Sequence, residues 1–216
     1  MRPRSSPSKG SFLRAALVLS AVLGASGRTA SAATFSFTGT FTHDDDKQFF
    51  TFSIASTTTV TIRTFGFGGG TNGASTVIPA GGFDPIIQFF DSLGGGYGLS
   101  NDDPINMDGT CPHVTKDPAS GACWDSYYSQ PVTAGTYTLV LTQSDNQYNG
   151  PNLSDGFHED GMGDFTVMFD IFFLGPPFIT EAGDKRNGNW ALDISGVDSA
   201  TLGPLLPVTL TRFTAE

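Results

Sequence analysis

Residues 48–65 read QFFTFSIASTTTVTIRTF, and their periodicity decides the fold. In 48–55 the apolar side chains Phe50, Phe52 and Ile54 recur at every second position. In 58–65 Val60 and Ile62 do the same, and Thr64 continues that face. Successive side chains of a strand point to opposite faces, whereas a helix returns an apolar residue every three or four positions. Phe, Val, Ile and Thr also suit a pleated, half-buried surface. The stretch predicts two strands, each with one face in a core.

The same reading extends outward. Residues 34–41 (TFSFTGTF) put Phe35, Phe37, Gly39 and Phe41 on one face. Residues 136–143 (TYTLVLTQ) turn Tyr137, Leu139 and Leu141 inward. Residues 164–173 (DFTVMFDIFF) predict a strand with Phe165, Val167, Phe169 and Ile171 inward. The run 85–90 (PIIQFF) is continuously apolar, as expected of a strand inside a sandwich. Residues 189–200 (NWALDISGVDSA) accommodate a short strand and a turn, and 206–213 (LPVTLTRF) a final strand. Gly- and Asp-rich stretches such as 67–75, 91–98, 149–156 and 159–164 separate these runs as turns. No window carries a helical apolar stripe. The expectation is an all-β, antiparallel β-sandwich of jelly-roll type, forming one domain over 33–216.

Residues 1–32 read differently. Arg2, Arg4, Lys9 and Arg14 form a basic start, 15–24 (AALVLSAVLG) an apolar stretch, and Ala30-Ser31-Ala32 a small-residue cleavage site. That is the pattern of a cleavable secretory signal. The apolar stretch is far shorter than the ~20 residues that span a bilayer. The chain has 11 Lys+Arg and 21 Asp+Glu, a net charge of −10. Five of the bases and none of the acids precede Ala33, so six bases would face 21 acids, −15, after cleavage. Such a surface disfavours nucleic acid and anionic membrane, which need a basic face. A secreted, periplasmic or cell-surface location follows, with no membrane span after signal cleavage and no anchor visible at the C-terminal end.

Cys111 and Cys123 are the only cysteines. In an exported chain an even pair reads as a disulfide, and the C-x-x-C spacing of metal or redox pairs is absent. The carboxylates concentrate in turns. Calcium takes six to eight oxygens from carboxylates and loop carbonyls, so Asp44, Asp46, Asp84, Asp91, Asp102 and Asp103 are the candidate ligands of a structural Ca²⁺. The plainer reading is that Asp serves here as a turn and capping residue.

Catalytic signatures are missing. His43, His113 and His158 lie in polar loops, with no G-x-S-x-G elbow and no H-E-x-x-H. The Gly-rich stretches lack the G-K-[ST] end of a phosphate loop. Tyr97, Trp124, Tyr127, Tyr128 and Tyr148 lie in or near loops and are the candidates for a ligand-stacking face. The alternative is that each ring caps an edge of the core.

Several motifs in order resemble the bacterial pre-peptidase C-terminal (PPC-like) β-sandwich. They are Asp44/Asp46 before a strand, Asp84 opening PIIQFF, Asp91 and Gly94 after it, Asn101-Asp102-Asp103, and Ala134-Gly135-Thr136-Tyr137. The segments 39–46, 81–85, 149–157 and 189–198 are similar to a group of exported bacterial proteins of unknown function that often carry a PEP-CTERM type sorting anchor, which is not seen here. The resemblance implies export and a sandwich related to carbohydrate- and collagen-binding modules, some of which bind Ca²⁺. The functional expectation is a non-catalytic binder of extracellular polysaccharide or protein polymer. The alternative is a glycosidase-like secreted hydrolase using loop carboxylates.

Overall fold

A computed structural model describes residues 33–101, 103 and 110–203, with 97–101 by backbone alone. The segment 1–32 and the expected strand at 206–213 lie outside the described residues. Among the described residues eleven strands run in chain order: β1 (Thr34–Thr40), β2 (Gln48–Ile54), β3 (Thr58–Thr64), β4 (Gly70–Thr71), β5 (Val77–Ile78), β6 (Pro85–Asp91), β7 (Gly96–Asn101), β8 (Tyr127–Val132), β9 (Gly135–Gln143), β10 (Asn189–Ser195) and β11 (Ser199–Leu202). All pairings between them are antiparallel.

Two large sheets result, one in the order β1-β10-β3-β8 and one in the order β11-β2-β9-β6-β7, while β4 and β5 pair with each other as a hairpin. Their facing sides share one apolar core. Phe50, Phe52, Ile54, Leu139 and Leu141 come from the second sheet, and Val60, Ile62, Leu192 and Ile194 from the first. These are the positions that period-two alternation turns inward, so the fold is the expected all-β sandwich. Removing that much apolar surface from water is the main force joining the sheets. Aromatic pairs such as Phe52 with Tyr137, 5.3 Å between centroids, fill the layer.

The outer face of the second sheet is also covered. Val140 packs with Phe90 and Phe157 in a smaller apolar cluster, and Thr138 and Thr142 are buried beside it. Gln88 is fully buried there; its amide donates to Thr142 Oγ1 (3.0 Å) and its Oε1 accepts the Tyr148 N–H (2.7 Å). This explains why 85–90 reads as a continuous apolar run.

Residues 164–173 correct one expectation. They do not form a strand: Phe165–Phe169 is a 3-10 helix, and Ile171, Phe172, Phe173 and Leu174 are exposed. The cause is a side chain remote in sequence. The fully buried Asp44 carboxylate accepts the Thr166 N–H (2.8 Å), the Thr166 hydroxyl and the Phe178 N–H (2.6 Å). The Thr166 N–H, a backbone donor that a neighbouring strand would have used, is thus taken by this aspartate. Strand β8 was not anticipated, because Gln130 and Pro131 interrupt its pattern. Its place at a sheet edge resolves this, since proline is tolerated where one side of the ladder is free. Among the described residues no helix is long and apolar enough to cross a membrane.

Candidate functional site

The outer face of the first sheet is polar and open. Register aligns Ser36 on β1, Asp193 on β10, Arg63 on β3 and Tyr127 on β8 in one row across all four strands. The next row is Thr34, Ser195, Thr61 and Ser129. Thr61 and Ser129 hydroxyls hydrogen-bond at 2.9 Å. These are the outward positions of the alternating strands, so the residues that leave the core free form the floor of the site.

Two walls rise from this floor and enclose a cleft of about 390 Å³. The first is the β4–β5 hairpin. Asp193 Oδ2 accepts the Gly73 N–H (2.7 Å), Asp193 Oδ1 accepts the Ser36 hydroxyl (2.6 Å), and Ser36 Oγ accepts the Ala74 N–H (3.0 Å). Asn72 closes the tip by accepting the Thr76 N–H (2.8 Å). The second wall is His113, whose ring stacks on Tyr127 at 4.3 Å with 15° between planes. Between the walls, the Arg63 guanidinium lies over the Phe65 ring at 4.5 Å. Its Nε is buried without a hydrogen-bond partner, and its Nη2 makes a long contact of 3.4 Å to Thr115 Oγ1.

The second wall belongs to the cysteine loop, and three devices fix that loop. Cys111 and Cys123 are disulfide-bonded, with 5.4 Å between Cα atoms. Asp117 accepts the Ser120 N–H and hydroxyl, both at 2.7 Å, and pairs with Arg186. Asp125 accepts the Thr64 hydroxyl (2.9 Å) and the Phe67 and Gly68 N–H groups (3.1 and 2.7 Å), tying the loop end to β3. Burial pushes the Asp125 carboxyl above the ordinary range, against the pull of those three donors.

Three of the candidate calcium ligands accept backbone N–H groups. Asp44 is committed to Thr166 and Phe178, and burial raises its carboxyl pKa despite those bonds. Asp46 accepts the Thr42 and His43 N–H groups (2.6 and 2.9 Å). Asp91 accepts those of Leu93 and Gly95 (2.8 and 2.9 Å). Asp84 is buried at the start of β6, and Asp103 is exposed. Asp102 lies outside the described residues. Among the described residues no three His, Cys, Asp or Glu side chains group so as to hold a metal ion. The turn and capping reading describes Asp46 and Asp91, whereas Asp44 ties together two segments distant in sequence.

The aromatic candidates also separate. Of the four candidates whose side chains are described, Tyr127 alone lines the cleft. Tyr128 is in the core against Phe89 (4.9 Å), Trp124 packs on Phe67 (5.1 Å), and Tyr148 on Phe90 (5.5 Å). These three follow the core-edge alternative. Of Tyr97 only the backbone, in β7, is described. Arg63 and Asp193 are binding candidates that only the structure supplies, and His113 stands in the sequence only as a catalytic candidate. A charged residue at an outward position of an apolar strand was the available signal for the first two.

Compared with models of protein families and with curated proteins, the chain matches none.

Proposed function

We propose that this protein is an exported, non-catalytic β-sandwich that binds the carbohydrate of an extracellular polymer in the cleft above β3, β8 and β10. The observation that carries the reading is the row Asp193–Arg63–Tyr127 beneath an open cleft, flanked by the hydroxyls of Thr34, Thr61 and Ser195. Sugars present many hydroxyls and apolar ring faces. Fixed donors and acceptors beside an aromatic ring are the chemistry that recognises them. The walls are tied down by the Asp193 and Ser36 hydrogen bonds, the disulfide and the Asp117–Arg186 pair, and such pre-ordering lowers the cost of binding. The disulfide supports the export part, since such bonds persist in oxidising compartments.

A binder is favoured over a hydrolase because, among the described residues lining the cleft, Asp193 is the one carboxylate, and both of its oxygens accept protein hydrogen bonds. Glycoside hydrolysis ordinarily needs two carboxyl groups facing the scissile bond.

A glycan and polysaccharide array with the secreted protein tests this. Retention without product release is expected, and Tyr127→Ala should weaken it by roughly tenfold or more while leaving the melt nearly unchanged. Release of reducing ends would overturn the non-catalytic reading. Failure to retain any glycan would overturn the site.

A further inference from the structure

The cleft holds a cation that the protein leaves unpaired. Arg63 lines it, and a guanidinium keeps its charge at any pH a folded protein meets. Register puts Asp193 directly across from Arg63, yet the Asp193 oxygens accept from Ser36 and Gly73 instead. Among the described residues the ion pairs are His43–Asp164, Lys47–Asp160 and Arg186–Asp117, and none includes Arg63. Arg186 is the instructive contrast. Each guanidinium lies over a phenylalanine ring, and in each Nε is buried without a partner. At the far end they differ. Arg186 Nη2 meets Asp117 at 2.8 Å, whereas Arg63 Nη2 has only the 3.4 Å contact to Thr115 Oγ1, and Arg63 Nη1 has no protein acceptor and reaches solvent.

The hairpin wall adds a second donor. Asn72 lines the same cleft and is 6 % exposed. Its Oδ1 accepts the Thr76 N–H, a group that can only donate, so the orientation of the amide is set and its outer end is Nδ2. Nδ2 likewise has no protein acceptor and reaches solvent. The accepting side is already in use, since both oxygens of Asp193 are engaged. What the cleft leaves unused is therefore weighted towards donors, one of them charged. A sugar hydroxyl both donates and accepts. A carboxylate or a sulfate ester only accepts, and its charge makes each such bond roughly twice as strong as a neutral one.

We infer that the glycan is acidic, a polysaccharide bearing carboxylate or sulfate groups, one of which lies against Arg63 Nη1 and Asn72 Nδ2. This rests on the carbohydrate reading of the cleft and adds to it the charge class of the ligand. The chain's net charge of −10 does not oppose a contact of this kind, because at physiological salt charges more than about 8 Å away are largely screened. It does exclude non-specific attraction of a polyanion as the source of any preference.

Calorimetry with matched pairs tests the inference: oligogalacturonates against their methyl esters, and carrageenan oligosaccharides against their desulfated forms. At least one charged series should bind roughly tenfold more tightly than its neutral partner, and which one does so identifies the group. Arg63→Gln should bring that ratio close to one. Arg63→Lys, which keeps the charge but not the fork, should restore part of it. Asn72→Asp keeps the acceptor for the Thr76 N–H while placing a like charge in the cleft. It should lower the ratio as well, and it serves as the test should Arg63→Gln fail to fold. Equal binding of charged and neutral forms, retention of neutral glycans alone, or a preference that survives Arg63→Gln would overturn the acidic ligand and leave the carbohydrate reading standing. Absence of binding by any glycan would overturn both.

Discussion

Asp117 Oδ2 lies 2.8 Å from Arg186 Nη2, with the two side chains only 1 % and 5 % exposed. The pair joins the cysteine loop to the segment that leads into β10, so one wall of the cleft is fastened to the strand that forms its floor. The guanidinium also lies over the Phe67 ring at 3.9 Å and reaches Ser120 Oγ at 3.2 Å.

Removing one partner of a buried pair leaves the other charged and desolvated. Arg186→Ala should therefore destabilise the protein by about 3–5 kcal/mol. Urea unfolding followed by tryptophan fluorescence measures this. A loss below 1 kcal/mol, on the scale of an exposed pair, would show that Asp117 finds water or another donor.

The same pair gives a signature in pH. Burial pushes the Asp117 carboxyl up, but Arg186 and the Ser120 donors outweigh it and hold it at about 2, against an ordinary 3.8. A carboxyl with a lowered folded pKa adds stability that is complete above its unfolded value and is lost as pH falls towards its folded value. Burial raises Asp44 and Asp125, so their contributions change in the opposite direction, growing as pH falls. The readout is therefore a difference. The stability gap between wild type and Asp117→Asn should hold constant near neutrality and narrow between about pH 4 and pH 2. A gap that stays level across that range would refute the assignment.

The disulfide closes a loop of 12 residues' separation. Cys111→Ser with Cys123→Ser should cost about 3 kcal/mol in urea unfolding, mainly through the freedom gained by the unfolded chain. Because His113 sits inside this loop and stacks on Tyr127, the same variant should also weaken glycan retention. Unchanged retention would separate the loop from the site.

Calcium enters as a test of how the loop carboxylates are used. Asp44, Asp46 and Asp91 accept backbone N–H groups, and donors aimed at a carboxylate oppose a cation at the same oxygens. The thermal midpoint should be the same in millimolar calcium and in chelator. A midpoint raised by calcium would reveal a bound cation that these hydrogen bonds do not account for.

Sequence alone determined the faces of the strands. Phe50, Phe52, Val60, Ile62, Leu139 and Leu141 reach the core because alternation has a fixed period and burial rewards one face. It also paired the two cysteines, and it offered Tyr127 as one of five aromatic candidates. Neighbours were a different matter. Ser36, Arg63, Tyr127 and Asp193 form one row only because the sheet order β1-β10-β3-β8 is not the chain order, and no local pattern carries that order. Asp44 likewise converts an alternating apolar run into a 3-10 helix through bonds formed more than a hundred residues away in sequence. Local periodicity fixes which way a side chain points. Long-range pairing and buried hydrogen bonds decide what it meets, and the cleft above β3, β8 and β10 is a product of those meetings.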